Sequence, residues 1–206
     1  MAITAENLAE KYDISRDACD EYSFLTQSRC AEALKKGFFL EEIAAVEVTN
    51  KKGTVQVTLD EHPKPDIPMD KIKSLKPLFK KDGRVTAATA SGIVDGAAAS
   101  ILMTETEAKK RGLKPLAKII SWASVGCDPK MMGIGPVGAI KKALAKANMT
   151  LSQMDLVEVN EAFAAQFLSV EKELGLDRTR TNVNGGAIAI GHPLAASGTR
   201  IMNHLM

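Results

Sequence analysis

From Leu116 to the end of the chain, short apolar runs alternate with stretches of helical spacing, and few folds accept that rhythm. Leu116 to Val125 reads as a strand. Pro136 suits the first position of a helix running to about Asn148, because its missing N–H would be unpaired there anyway. Leu156 to Val159 reads as a second strand, Glu161 to Leu174 as a helix stopped by Gly175, and Thr181 to Asn184 as the start of a third strand. Pro193 onward reads as a helix with no stop signal before Met206, so the chain is expected to end inside it. This alternation predicts an α/β fold with a mainly parallel sheet and helices on its faces.

The first half has a different character. Ser15 can cap a helix from about Arg16 to Lys36, with Gly37 as its stop. Ile43 to Thr49 and Thr54 to Leu59 read as strands joined by a turn at Lys51-Lys52-Gly53. His62-Pro63-Lys64-Pro65 forces an irregular loop. Gly96 to Met103 reads as a buried strand, and Thr104-Glu105-Thr106-Glu107 opens a short helix that stops at Gly112. The change of rhythm at Leu113-Lys114-Pro115 predicts two units, 1–113 and 114–206.

Charge and composition exclude several function classes. A net charge of +2 with interspersed signs and few aromatics argues against a nucleic-acid surface. No apolar run approaches membrane-spanning length. The start, Met1-Ala2-Ile3-Thr4-Ala5-Glu6, shows no targeting signal. Three cysteines without metal spacing suit a reducing compartment and predict no metal site.

Two segments carry the chemistry. Val159-Asn160-Glu161-Ala162-Phe163-Ala164 and Asn182 to Pro193 each place polar side chains where a strand is expected to end and a helix to begin. In open α/β sheets that edge is where ligands collect. Together they resemble the thiolase family, through Asn160-Glu161-Ala162-Phe163-Ala164 and Gly185-Gly186-Ala187-Ile188-Ala189-Ile190-Gly191-His192-Pro193-Leu194. Thr4-Ala5-Glu6-Asn7, Val85-Thr86-Ala87, Ala90-Ser91-Gly92, Asp95-Gly96-Ala97 and Met132-Gly133-Ile134-Gly135-Pro136 follow the same family order. Gly126-Cys127-Asp128-Pro129 and Thr181-Asn182-Val183-Asn184 look most like the 3-ketoacyl-CoA thiolases of fatty-acid oxidation, with acetoacetyl-CoA thiolases close behind.

The resemblance implies a partial thiolase-like fold. It comprises the end of the loop domain and of the first half (1–113), then most of the second β/α half (114–206). It further implies that the family's two cysteine motifs, Cys-x-Ser-Gly and Cys-x-Gly-Gly-Gly, lie before Met1 and after Met206, since neither occurs here. Cys19, Cys30 and Cys127 read as idle thiols. The implied reaction is thiolytic cleavage of a 3-ketoacyl-CoA, or the reverse Claisen condensation, with CoA as substrate and no permanently bound cofactor. The chain alone is expected to be inactive.

By the same resemblance His192 is the general base, and a helix N-terminus would keep it neutral. Asn160 donates to the oxygen on which charge develops; its competing reading is the N-cap of a helix starting at Glu161. Glu161 is a helix-dipole partner or an orienting group, and Gly191 lets backbone approach the substrate. Ser91 meets the pantetheine arm, while Phe79, Met132 and Phe163 line the pantetheine or acyl tunnel; ordinary packing is the competing reading for these apolar residues. Lys80, Lys81 and Arg84 face CoA phosphates or form a solvated basic loop. Thr89 and Ala195 depart from the family pattern, and a methyl at Ala195 is expected to crowd the backbone. A homo-oligomer, dimer or tetramer, and a mitochondrial setting are implied, with cytoplasmic or peroxisomal settings as alternatives. Two other readings are a non-catalytic acyl-CoA-binding or subunit-interaction fragment and a decarboxylating condensing enzyme of related fold.

Overall fold

The computed structural model describes residues 1–206. Helix α1 (Ala2–Lys11) buries Ala2, Ala5, Leu8 and Ala9 along one face. Helix α2 (Arg16–Lys36) begins where Ser15 Oγ accepts from Ala18 N at 3.1 Å and ends at Gly37, whose φ of +75° favours a residue without Cβ. Strands β1 (Val46–Asn50) and β2 (Gly53–Val57) form an antiparallel hairpin with both faces exposed. Helix α3 (Met69–Lys73) follows the proline loop, and α4 (Glu105–Lys110) is capped by Thr104, as its sequence predicts. A 3₁₀ turn at Pro129–Ile134 leads into α5 (Gly135–Ala147), which ends at Asn148 in the left-handed region. Helix α6 (Ala164–Leu174) stops at Gly175; α7 (Ala187–Ile190) is a single turn; α8 (Ser197–Leu205) closes the chain.

One core joins the two stretches that the sequence separates. Ile14, Cys19 and Tyr22 from the first pack with Val137, Val159, Phe167, Val170 and Ile188 from the second. The Tyr22 and Phe167 rings stack with centroids 4.2 Å apart, which sets α2 against α6. Buried Glu6 on α1 accepts from the backbone N–H groups of Arg84 and Val85, tying that loop to the core.

The mainly parallel sheet expected from the alternation is not formed. The only sheet is the two-stranded antiparallel hairpin. Residues 96–103 and 116–125 make no ladder, and their large apolar side chains, among them Ile101, Leu116 and Trp122, lie exposed. Segments 156–159 and 181–184 meet in one isolated parallel bridge, Val157 with Thr181. It goes no further because Asn182 adopts φ +49° and turns the chain. Its side chain then takes the place of the next rung, accepting from Val159 N at 2.8 Å and donating to Val159 O at 2.9 Å. An apolar run becomes a strand only when another backbone edge lies beside it, and here a side chain holds that edge.

Candidate functional site

The turn that carries His192 is built on close approach. Gly191 has φ +99°, and a Cβ there would lie 2.7 Å from the Val94 side chain. His192 is held by its own N–H, which donates to Gly92 O at 2.8 Å. Gly92 is fixed in turn by the His62 ring: a Cβ at Gly92 would meet His62 Nε2 at 2.1 Å. His62 Nδ1 binds Ala189 O at 2.8 Å, so one imidazole braces both sides of the turn.

The His192 imidazole bridges two polar groups. Nδ1 lies 2.6 Å from Ser197 Oγ, and Nε2 lies 3.3 Å from Asn160 Nδ2. An amide N–H facing Nε2 requires a lone pair there. The tautomer that matches this amide orientation carries its proton on Nδ1 and donates it to Ser197, whose hydroxyl reaches Pro193 O at 3.3 Å. This neutral tautomer presents the basic nitrogen to the Asn160 side. Burial first, and the Arg200 charge second, hold the His192 pKa below the ordinary imidazole value. The expected helix-terminus effect is absent, since α8 starts five residues later at Ser197.

Asn160 is not a helix cap. Helix α6 begins at Ala164 with Phe163 at its N-cap and no side-chain cap, so the expected start at Glu161 is three residues early. Freed of capping, the amide turns to His192 and leaves Oδ1 buried without a partner. A buried orphan oxygen costs stability and persists where geometry serves another end. Glu161 is fully buried and is not a helix-dipole partner of α6. Its carboxylate accepts from Tyr22 Oη at 2.6 Å, Asn182 Nδ2 at 2.9 Å, Thr26 Oγ1 at 3.0 Å and Ile188 N at 3.1 Å.

Ser91 joins the same locus: its N–H and Oγ both donate to Ala162 O, at 3.1 and 3.0 Å. Phe163 bridges to Ala90 and packs partly buried against Ala2, Ala5 and Val85. Phe79 and Met132 stand at the surface, 54% and 43% exposed, and no hydrogen bond brings them to His192. Lys80 pairs with Glu10, and Arg84 Nε donates to Ile14 O, so neither is an unengaged cation. Thr89, buried, accepts from Thr86 N and donates to Arg84 O, both at 2.8 Å, which gives this departure a structural role. Ala195 is exposed in the 193–196 turn, and its methyl is not crowded.

No thiol adjoins the imidazole. Cys19 and Cys30 are buried, and burial pushes both thiols up to about 12. Exposed Cys127 directs Sγ at Met132 O, 3.7 Å away. The sequence reading missed Ser197, His62 and the Tyr22–Thr26 pair. The pair had a signal, because a spacing of four puts both residues on one face of α2, the face that meets Glu161.

Residues 1–106 match the N-terminal domain of thiolase, and residues 113–206 match the thiolase C-terminal domain. The mitochondrial 3-ketoacyl-CoA thiolase of Bos taurus is 55% identical over the whole chain, which covers 52% of that protein. The acetyl-CoA acetyltransferase of Rhizobium meliloti (strain 1021) is 50% identical, again with 100% of the chain and 52% of the relative covered. A cytosolic acetyl-CoA acetyltransferase from Mus musculus is also 50% identical over the whole chain and 52% of its own length, so the relatives include both mitochondrial and cytosolic enzymes. Among solved structures, the Bacillus anthracis acetyl-CoA acetyltransferase superposes with a TM-score of 0.97 at 47% identity, over 100% of this chain and 52% of that one. Human mitochondrial 3-ketoacyl-CoA thiolase in complex with CoA gives 0.88 at 52% identity, over 100% and 51%. The chain thus spans about half the length of the relatives it matches.

Proposed function

The chain belongs to the thiolase family, and from that premise we propose that it supplies the base and an oxygen-stabilising amide for acyl transfer to CoA. The reaction proposed is cleavage of a 3-ketoacyl-CoA by CoA to acyl-CoA and acetyl-CoA, or its reversal by Claisen condensation. One observation carries the reading: the His192 imidazole, anchored at Nδ1 by Ser197, meets the Asn160 amide through Nε2.

In this scheme His192 Nε2 takes the proton of an attacking thiol, and the resulting thiolate adds to the carbonyl carbon. The imidazolium then returns that proton to the leaving group. A pKa below the usual value keeps the imidazole free to accept at neutral pH. The Asn160 amide, released from Nε2 as that nitrogen takes the proton, donates to the carbonyl oxygen as negative charge grows on it. Ser91 lies on the same 160–163 segment through its two bonds to Ala162 O, a placement suited to the pantetheine arm of CoA. Phe163 lines that approach, with Phe79 and Met132 offering apolar surface farther out. Neither Cys19 nor Cys30 is suited to be the attacking thiol, being buried and hard to ionise.

The compartment proposed is the mitochondrion, after the mitochondrial bovine relative, and the assembly proposed is a homo-oligomer, in keeping with the exposed apolar side chains of 93–125. A chimera tests the catalytic reading. The matched half of the bovine enzyme is replaced by this chain, and loss of acetoacetyl-CoA absorbance is followed with CoA present. Turnover supports the reading; a folded, CoA-binding chimera without turnover contradicts it.

A further inference from the structure

We propose that Glu161 is the positioning residue of this site: its buried carboxylate locks the 186–191 turn to the Asn160 segment and so fixes where His192 stands. The proposal rests on the catalytic reading of His192 and Asn160 and assigns a role that neither of those residues can fill.

Glu161 directly follows Asn160 in the chain, yet its partners come from three other places. Tyr22 and Thr26 reach it from α2, Asn182 from the turn after the isolated bridge, and Ile188 N from α7, four residues before His192. Every partner is a neutral donor, so the arrangement fits the ionised carboxylate, stabilised by dipoles rather than by a counter-ion. Burial pushes its pKa up, and the four donors oppose that rise.

The turn is shaped to admit the carboxylate. A Cβ on Gly186 would lie 2.4 Å from Glu161 Cδ, so only glycine lets the backbone pass. Gly186 N donates to Thr26 Oγ1 at 2.8 Å, which leaves the threonine proton for Glu161. Gly185, at φ +81°, lies so close to α2 that a Cβ would meet Thr26 O at 2.6 Å. Asn182 holds Val159 with one end of its amide and Glu161 with the other, closing the circuit on the residue before Asn160. The carboxylate thus fixes the start of the turn, while His62 and Gly92 brace its end, and His192 stands where the two meet.

The test reads His192 itself, without turnover. Slow deuterium exchange at the imidazole Cε1–H, measured by mass spectrometry across pH on the full chain, gives a pKa for each of the three histidines. Glu161→Gln keeps the shape but puts an amide NH2 where one donor now points. The turn should loosen, His192 should gain water, and its pKa should rise toward the ordinary value of about 6.5. His204, on α8, pairs with Glu42 and meets the same turn only through Asn184 Nδ2 at 3.2 Å, so it should move less than His192. Tyr22→Phe removes one donor and keeps the ring stack; it should shift His192 the same way by less, and it serves if Glu161→Gln does not fold. An unchanged His192, or equal shifts at His192 and His204 from general loosening, would overturn the proposal. A chimera that binds CoA without thiolysis would refute the catalytic reading while leaving this shift in place.

Discussion

The exposed surface of this chain predicts that it associates with itself. Its accessible surface is 12,792 Å², whereas a compact monomer of 22.1 kDa exposes about 9,300 Å². The surplus is about 3,400 Å², roughly four times what one partner contributes to an interface of standard size. It includes large apolar side chains open to water: Ile93 at 85%, Ile101 at 88% and Leu116 at 87% exposure. Burying one such side chain is worth roughly 1.5–3 kcal/mol, or about one to two orders of magnitude in a dissociation constant. Ile101→Lys and Leu116→Lys should each weaken association by that factor, and the pair more so. Size-exclusion chromatography with light scattering over a dilution series reads the effect. A monodisperse monomer of the unmodified chain with one cooperative thermal transition would refute the reasoning, as would lysine variants of unchanged size.

Three further outcomes follow from the same geometry. Incubated with acetoacetyl-CoA and CoA, the chain alone should show no thiolysis above a His192→Ala control, because no thiol adjoins His192; turnover would direct attention to Cys127. Tyr22→Phe deletes a bond to a buried carboxylate, worth roughly 1.5–3 kcal/mol, and should lower Tm by roughly 3–12 °C in a thermal melt; an unchanged Tm would contradict the network. Burial, outweighing the Arg200 charge, pushes the Glu158 carboxyl from 4.5 up to about 8. The folded chain thus holds a proton that the unfolded chain has released, and Glu158 costs stability as pH rises across that window. Glu158→Gln should raise Tm at pH above about 8 and flatten its pH dependence; a lower Tm at high pH would contradict this.

Local chemistry was legible wherever one residue type decides the outcome. Ser15 and Gly37 bound α2, Thr104 opens α4, and Asn148 and Gly175 close α5 and α6 as their side chains or glycine freedom require. The sheet was not legible, because strand pairing depends on what lies beside a segment. Residues 116–125 have strand-like apolar content and no neighbouring edge, while Asn182 spends its side chain on the rung that 156–159 would have extended. Glu161 was misplaced at a helix start for a similar reason. Its donors on α2 and α7 hold residues 160–163 out of the helix, and those donors stand far away in sequence. The spacing of Ala2, Ala5, Leu8 and Ala9 marks α1, yet no capping side chain announces it.

Removing the two side chains at the centre of the proposed chemistry is the most direct test. In the bovine chimera, His192→Ala should slow thiolysis by roughly two to four orders of magnitude, the scale of lost general acid–base help. Asn160→Ala should slow it by roughly two to three, as for one lost donor to a developing oxyanion. Single-turnover measurement of ketoacyl loss isolates that chemical step. Near-normal rates in His192→Ala would contradict the assignment of the base, and with it the account of this site.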